Sequence, residues 1–355
     1  MAKARGATGC PSVSVVLPIY NAAAYAEEAL RSLLGQSLRD IEVICVDDGS
    51  TDGTGAVLES LAEEDDRIVV VPKANGGAGS ARNAGLDVAR GEYLSILDID
   101  DFFEPNMLEC ALRAARADDL DVLVFRSDEL YPATGEHKPI PWTIHEDLLP
   151  EGRPFAGTEV PRDIFKLFVG WSWDKLIRAS FVREHGLRFQ EIRTTNDMLF
   201  VFSAVVRAER IGVIEDVLVH HRKEAGSLSV TREKSWGCFY EALTALGEQL
   251  RAWGLYERFE QDYLNYCIHA ALWNVRTLAE PTRSLLTRRL ADEWFDALGV
   301  CAHDESYFYH KGEYDEFLRI YDPKGHRLRS VKAAPRKVLR RAKRLLTGTR
   351  ERGGR

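Results

Sequence analysis

Three carboxylates within four residues, Asp98, Asp100 and Asp101, close a short apolar run at positions 93–97. Like charges this close repel, so the cluster calls for a cation. Hard oxygen ligands favour Mg²⁺ or Mn²⁺, and Mg²⁺ is commonly shared between one or two carboxylates and the phosphates of a substrate. Two earlier apolar runs also end in polar groups: 13–17 leads into Pro18-Ile19-Tyr20-Asn21, and 41–46 into Asp47-Asp48. An aromatic ring and a carboxylate at those ends could hold a planar base, while the later carboxylates and their metal could hold a diphosphate. Taken alone, the acidic cluster reads more readily as a solvated turn capping a helix that begins near Glu104-Pro105.

These groups can act together only if the strands that carry them are parallel, because ligands of an open α/β sheet bind beyond the carboxyl ends of its strands. The spacing predicts such a sheet. Strands are expected over 13–17 (stopped by Pro18), 41–46, 67–71, 92–97 and 122–125, with helices over 24–34, 53–64, 81–89 and 105–117. Residues 75–80 form a glycine-rich connection. Strands and helices that alternate in this way imply an α/β fold with a parallel, right-handed sheet. Beyond about residue 128 the pattern changes. Residues 131–157 read as a long loop, commonly a functional feature in a compact domain. Short helices and a strand over 211–219 follow, and 235–321 reads as helical and amphipathic.

Composition narrows the classes. The 355 residues are 45% hydrophobic and 29% charged, as in an ordinary soluble globular protein. The first ten residues lack the apolar run of a signal peptide, and no stretch approaches a membrane span. Six scattered cysteines without a Cys-x-x-Cys pair fit reduced thiols of a cytoplasmic protein. The net charge of −8 is unevenly spread: from Lys324 onward there are thirteen Lys or Arg against one acid, Glu351. An acidic body with a basic tail argues against a nucleic-acid partner for the body and for an anionic partner of the tail.

The residues quoted so far form a set. Ser14-Val15-Val16-Leu17-Pro18-Ile19-Tyr20-Asn21, Val46-Asp47-Asp48-Gly49-Ser50-Thr51-Asp52, Ala81-Arg82-Asn83-Ala84-Gly85 and Leu97-Asp98-Ile99-Asp100-Asp101 resemble, in order and spacing, the four signatures of family 2 glycosyltransferases. The resemblance covers residues 13–125 and implies the GT-A nucleotide-sugar fold, a Rossmann-like, mainly parallel sheet flanked by helices. It implies that Pro18 and Tyr20 line the base and that Asp48 bonds a uracil-like edge. Asp98 and Asp100 would form the Asp-x-Asp motif on ribose and metal-bound diphosphate, Asp101 would add charge, and Arg82 would lie near the diphosphate. Thr195-Asn196-Asp197-Met198 resembles the family's segment that opens a helix with the general base, which assigns that role to Asp197 beside Asn196. Trp171-Ser172-Trp173-Asp174-Lys175 resembles the tryptophan segment before the acceptor site, with Trp173 stacking on a sugar. His220-His221-Arg222 followed by Gly226-Ser227-Leu228-Ser229 resembles a diphosphate-contacting strand, with His221 where Tyr is frequent.

On this reading the chain has a short N-terminal tail (1–10), a GT-A domain (11–230, divided near 127 into nucleotide and acceptor halves), a helical region (231–322) and a basic tail (323–355). The implied activity is metal-dependent, inverting transfer from a nucleotide-diphosphate sugar, UDP-linked in preference, to a glycan or lipid-linked glycan. A non-catalytic binding member and a nucleotidyltransferase are the alternatives. A dinucleotide-binding oxidoreductase fits poorly, because Arg82 stands where the fingerprint beginning Gly77-Ala78-Gly79 needs a third glycine. Within the tail, Val331, Val338, Leu339, Ala342, Leu345 and Leu346 can share one helical stripe among basic residues. That pattern fits an interfacial helix on anionic lipid and hence a peripheral site on the inner face of the cell membrane.

Overall fold

The computed structural model describes residues 9–223 and 233–324. Residues 1–8 of the N-terminal tail, the Gly226-Ser227-Leu228-Ser229 segment and nearly all of the basic tail therefore lie outside the described residues. The chain falls into two compact units divided between Tyr266 and Cys267.

In the first unit the order is β1 (Val13–Ile19), α1 (Ala26–Leu34), β2 (Ile41–Asp47), α2 (Thr54–Glu64), β3 (Ile68–Pro72), α3 (Ala78–Val88), β4 (Tyr93–Ile96), β5 (Phe102–Phe103) and α4 (Met107–Ala117). There follow β6 (Val122–Tyr131), β7 (Glu136–Pro139), α5 (Ile164–Leu167), β8 (Lys175–Arg178), α6 (Ala179–Glu184), α7 (Met198–Arg207), β9 (Ile211–Arg222) and α8 (Cys238–Ala252). The nine strands form one sheet in the order β3-β2-β1-β4-β8-β6-β9-β5, with β7 paired to β6. Strands β3, β2, β1 and β4 are mutually parallel, as the alternation requires.

The sheet is mixed: the parallel strands expected from the alternation are joined by antiparallel pairs at β4–β8, β8–β6, β6–β7 and β5–β9. Strand β8 inserts antiparallel between β4 and β6, so the strand predicted at 122–125 is not β4's neighbour. Lys175-Leu176-Ile177-Arg178 is too short and too charged at its ends to announce a buried central strand. Three smaller corrections have plain causes. Strand β1 runs through Pro18 because β4 stops short of it: the Val16 carbonyl accepts from Leu97 N (3.1 Å), so Pro18, two residues on, faces the same side beyond β4's last paired residue. A proline there costs no ladder bond. Helix α3 begins at Ala78 rather than 81, using residues assigned to a loop. The 131–157 stretch carries β7 and two 3₁₀ turns, Pro141–Thr143 and Glu146–Leu148.

The inner strands are buried on both faces. On one side Val13, Val15, Leu17 and Val43 pack with Leu30, Leu33, Leu58 and Leu112 of the helices. On the other, Gly85 brings α3 onto the sheet so closely that a Cβ would lie 2.4 Å from Val16 Cγ1. That contact fixes the height of α3 over the strand ends.

Helix α9 (Tyr256–Thr277) contains the division between the units. The second unit continues with α10 (Thr282–Arg289), a π-helical turn (Leu290–Trp294), α11 (Phe295–Ala297) and α12 (Lys311–Tyr321). Its interior is aromatic: Phe295 meets Phe317 edge-on at 4.8 Å, and Phe308 stacks on Tyr314 at 4.9 Å. The helical reading of 235–321 agrees with this. Among the described residues no helix is long and apolar enough to cross a membrane.

Candidate active site

The first two strand ends are tied together by their own polar side chains. Asn21 sits at φ 50°, a left-handed conformation that Asn tolerates, and its Oδ1 accepts from Thr51 N at 2.8 Å. Its own N–H donates to Ser50 Oγ (2.9 Å), and Ala22 N donates to Thr54 Oγ1 (2.9 Å). Tyr20, 52% exposed, stands on this braced corner with its ring free for a flat ligand. Pro18, two residues earlier, is half-buried. Asp48 is only 2% exposed. Its Oδ1 accepts from Lys73 Nζ (2.6 Å) and Gly76 N (2.9 Å), and its Oδ2 from Gly77 N (2.7 Å). Three of about four acceptor positions on the carboxylate are thus spent on shaping the 73–77 loop. Lys73 was not singled out from sequence; a lone lysine after a strand carries no signal.

At the end of β4 the three carboxylates divide into two kinds. Asp101 is buried; its Oδ1 accepts from His221 Nδ1 (2.9 Å) and Arg222 N (3.0 Å), and its Oδ2 is enclosed without a partner. Burial raises its pKa, and the Asp101 charge in turn raises that of His221 against the opposing effect of that residue's own burial. Asp101 is therefore an anchor for β9. Asp98 and Asp100 remain as donors. Burial, then the charges of Asp98 and Asp101, push the Asp100 carboxyl up to about 6. A divalent cation would relieve that repulsion, and two hard carboxylates leave room for diphosphate oxygens and water around Mg²⁺ or Mn²⁺. The donor set fits such an ion. Arg222 closes the corner, its Nε donating to the Asp100 carbonyl (2.6 Å) while its guanidinium lies 4.0 Å over the Phe102 ring.

Helix α3 joins this end of the sheet to the second half of the unit. Buried Arg82 donates from Nη2 to Asp98 Oδ1 (2.7 Å) and from Nη1 to Asn196 Oδ1 (2.6 Å). The next residue, Asn83, exchanges two hydrogen bonds of 2.9 Å with the backbone of Phe189, whose ring stacks on Phe200 of α7 at 4.2 Å. The segment so held contains Thr195 at φ 63°, a strained conformation for a β-branched residue, directly before Asn196 and Asp197. Asp197 is the N-cap of α7 but makes no side-chain capping bond. Burial, opposed by Arg82 and assisted by Asp98, pushes its carboxyl up to about 6. The sequence placed Arg82, Asp98 and the Asn196-Asp197 pair on three separate motifs; the structure links Arg82, Asp98 and Asn196 by hydrogen bonds and sets Asp197 within the electrostatic reach of Arg82 and Asp98.

The tryptophan segment behaves differently from its expected role. Trp173 is 4% exposed and packs against Trp171 at 4.8 Å and His221 at 5.5 Å, so a sugar has no open face of it to cover. The exposed ring is Trp142, 50% accessible, set edge-on to Trp171 at 5.3 Å. It comes from the 131–157 stretch, where no periodicity marked it. Below the rings Lys175 is fully buried, donating to Val169 O (3.1 Å), Trp171 O (2.7 Å) and Asp174 Oδ1 (2.5 Å). Removing one partner of such a pair typically costs about 3–5 kcal/mol. Lys175→Met is expected to lose about 3 kcal/mol or more of unfolding free energy in a urea titration, with the slope unchanged.

The comparisons agree with this geometry. A model of the glycosyl transferase family 2 domain, described as "Glycosyl transferase family 2", matches residues 14–185. EpsH and EpsJ of Bacillus subtilis, both with "glycosyltransferase" in their names, are 32% and 33% identical over 222 and 224 residues. Those matches span 61% and 62% of this chain and only 62% and 63% of the two relatives. Glycosyltransferase GlyG of Streptococcus pneumoniae serotype 4 is 31% identical over 234 residues, 63% of this chain and 75% of GlyG. The crystal structure of S. aureus TarS 1–349 in complex with UDP-GlcNAc superposes with a TM-score of 0.56 at 22% identity, over 87% of this chain and 79% of that one, and so shares the GT-A fold. The motifs, the sheet and these relatives agree: the chain belongs to glycosyl transferase family 2.

Proposed function

We propose that the protein transfers a sugar from a nucleotide-diphosphate sugar to an acceptor hydroxyl with inversion at the anomeric carbon. One observation carries the reading: Arg82 bridges Asp98 at the end of β4 and Asn196 beside Asp197. The groups suited to a diphosphate and the one group suited to a base therefore meet around a single buried guanidinium. Exposed Tyr20 offers a base its face, and the remaining acceptor position of Asp48 suits an imide N–H, which favours a uridine donor. TarS, of the same fold, was captured with UDP-GlcNAc.

Inverting transfer is a direct displacement. Asp197 takes the proton from the acceptor hydroxyl as its oxygen bonds to the anomeric carbon, and the nucleoside diphosphate leaves with the bonding pair. Asp98 and Asp100 would hold Mg²⁺ or Mn²⁺, which supplies charge neutralisation on the leaving diphosphate. Arg82 and Asn196 orient the two ends of the reaction, and half-exposed Trp142 provides an apolar ledge for a glycan ring. The acceptor is a cell-surface glycan or a lipid-linked glycan, reached at an anionic membrane through the basic segment 324–355 and placing the enzyme on the cytoplasmic face.

A pH dependence follows. A base must be ionised, and Asp197 and Asp100 both have carboxyls raised to about 6. The value of kcat/KM, which reports the free enzyme, is expected to rise through about pH 6 and to level off above it. Below the break its slope should be steeper than one, because Asp197 and Asp100 must each lose a proton. A profile flat between pH 5 and 7 would count against Asp197 as the base. Transfer is tested with a panel of UDP-sugars and glycan acceptors, with release of nucleoside diphosphate as the readout; pyrophosphate release would contradict the reaction type.

A further inference from the structure

We infer that Asp128, His137 and His220 form a second metal site, for a borderline ion such as Zn²⁺, separate from the Asp98/Asp100 pair. Three neighbouring strands build it. Asp128 lies on β6 in register with His220 of β9. On β7 the register pairs Asp128 with Pro139 and Leu130 with His137, so His137 is diagonally across from Asp128. Among the described residues this is the group of three such side chains that can each offer a donor atom with all three atoms within 4.8 Å of one another. His220 Nδ1 lies 2.6 Å from Asp128 Oδ1, His137 Nδ1 lies 2.9 Å from Asp128 Oδ2, and the rings meet edge-on at 4.8 Å. A tetrahedral Zn²⁺ with bonds near 2.1 Å needs donors roughly 3.4 Å apart, so each ring must draw back from Asp128 by less than an ångström while the two imidazole nitrogens, within 4.8 Å of each other, settle to that separation.

A second observation points to a ligand. The far nitrogen of His220, Nε2, lies 3.0 Å from Glu104 Oε1. A metal-bound imidazole is held in this manner, its outer N–H given to a carboxylate that fixes the tautomer and leaves the other nitrogen's lone pair for the ion. Two imidazoles and a carboxylate suit Zn²⁺, with Co²⁺ as a spectroscopic substitute, better than Mg²⁺ or Ca²⁺. The His137 side chain is 47% exposed, which leaves an entry path and a fourth position for water. Along β9 successive side chains face opposite ways, so His220 serves this site while His221 serves Asp101. An ion here would pin the β6–β7 hairpin to β9 one residue before the anchor of the acidic cluster.

The test uses the full chain, stripped with a chelator and dialysed. Zn²⁺ is titrated in competition with a chromophoric chelator, and Co²⁺ is added separately to record visible ligand-field bands. Wild type and an Asp98→Ala/Asp100→Ala double variant are expected to bind one tight equivalent of Zn²⁺. His137→Ala, a change on an exposed hairpin that leaves the core intact, should abolish that equivalent and the Co²⁺ bands, as should His220→Ala. Glu104→Gln should weaken binding by roughly 10–100-fold. The inference is overturned if wild type binds no tight Zn²⁺, if His137→Ala binds it as wild type does, or if the double variant loses it.

Discussion

Asp197→Ala is expected to lower the rate of sugar transfer by about 10²–10⁴-fold, the usual contribution of a general base, while UDP binding stays at the wild-type level. The expectation rests on where the residue is held. Thr195 and Asn196 deliver it to the start of α7, Arg82 stands over the segment, and burial raises its carboxyl to about 6, near the pH at which a base works best. An acid at a helix N-terminus has a competing explanation, stabilisation of the helix. Asp197→Asn separates the two. Asn caps as well as Asp, so a capping role would leave the variant active. Asn cannot accept the hydroxyl proton, so a catalytic role makes Asn as poor as Ala. The absence of a side-chain capping bond already favours the second outcome.

Asp100→Ala is expected to remove the metal-stimulated part of the reaction, a loss of several kcal/mol of transition-state stabilisation, or about 10³-fold or more. Adding Mn²⁺ should restore wild-type enzyme treated with chelator but not this variant. Stability should move the other way. Because the Asp100 carboxyl is raised in the folded protein, its contribution favours folding below about pH 4 and is lost as pH rises through about 6. At pH 7 and without metal, Asp100→Asn removes a charge that burial and two neighbouring carboxylates penalise, and its melting temperature should exceed that of wild type. A variant both inactive and less stable would mark Asp100 as a packing residue.

Much of this was legible because the strand ends are local. Strands β1, β2 and β4 and the groups beyond them, Tyr20, Asp48, Asp98 and Asp100, each follow from a few consecutive residues, and parallel topology brings them to one side. What could not be read is what depends on distant pairing. Strand β8 is short, and its first residue is a lysine made tolerable only by Asp174 and two carbonyls contributed by the fold. Strand β5 is two residues, invisible to any periodicity. Trp173 had the right type for sugar stacking but sits beneath Trp171 and His221, while Trp142 lay in a stretch read only as loop. The second role of Asp48, clamping the 73–77 loop, involves donors 25 to 29 residues away. Residue types gave the candidates; long-range contacts decided which are anchors and which are free to act.

The most direct measurement is calorimetric titration of UDP and GDP, each with and without Mn²⁺, into wild type, Asp100→Ala and Asp197→Ala. UDP binding is expected to need Mn²⁺ in wild type, to survive in Asp197→Ala and to disappear in Asp100→Ala, with GDP weaker throughout. Binding of neither nucleotide to wild type, or metal-dependent UDP binding that Asp100→Ala leaves intact, would contradict this expectation.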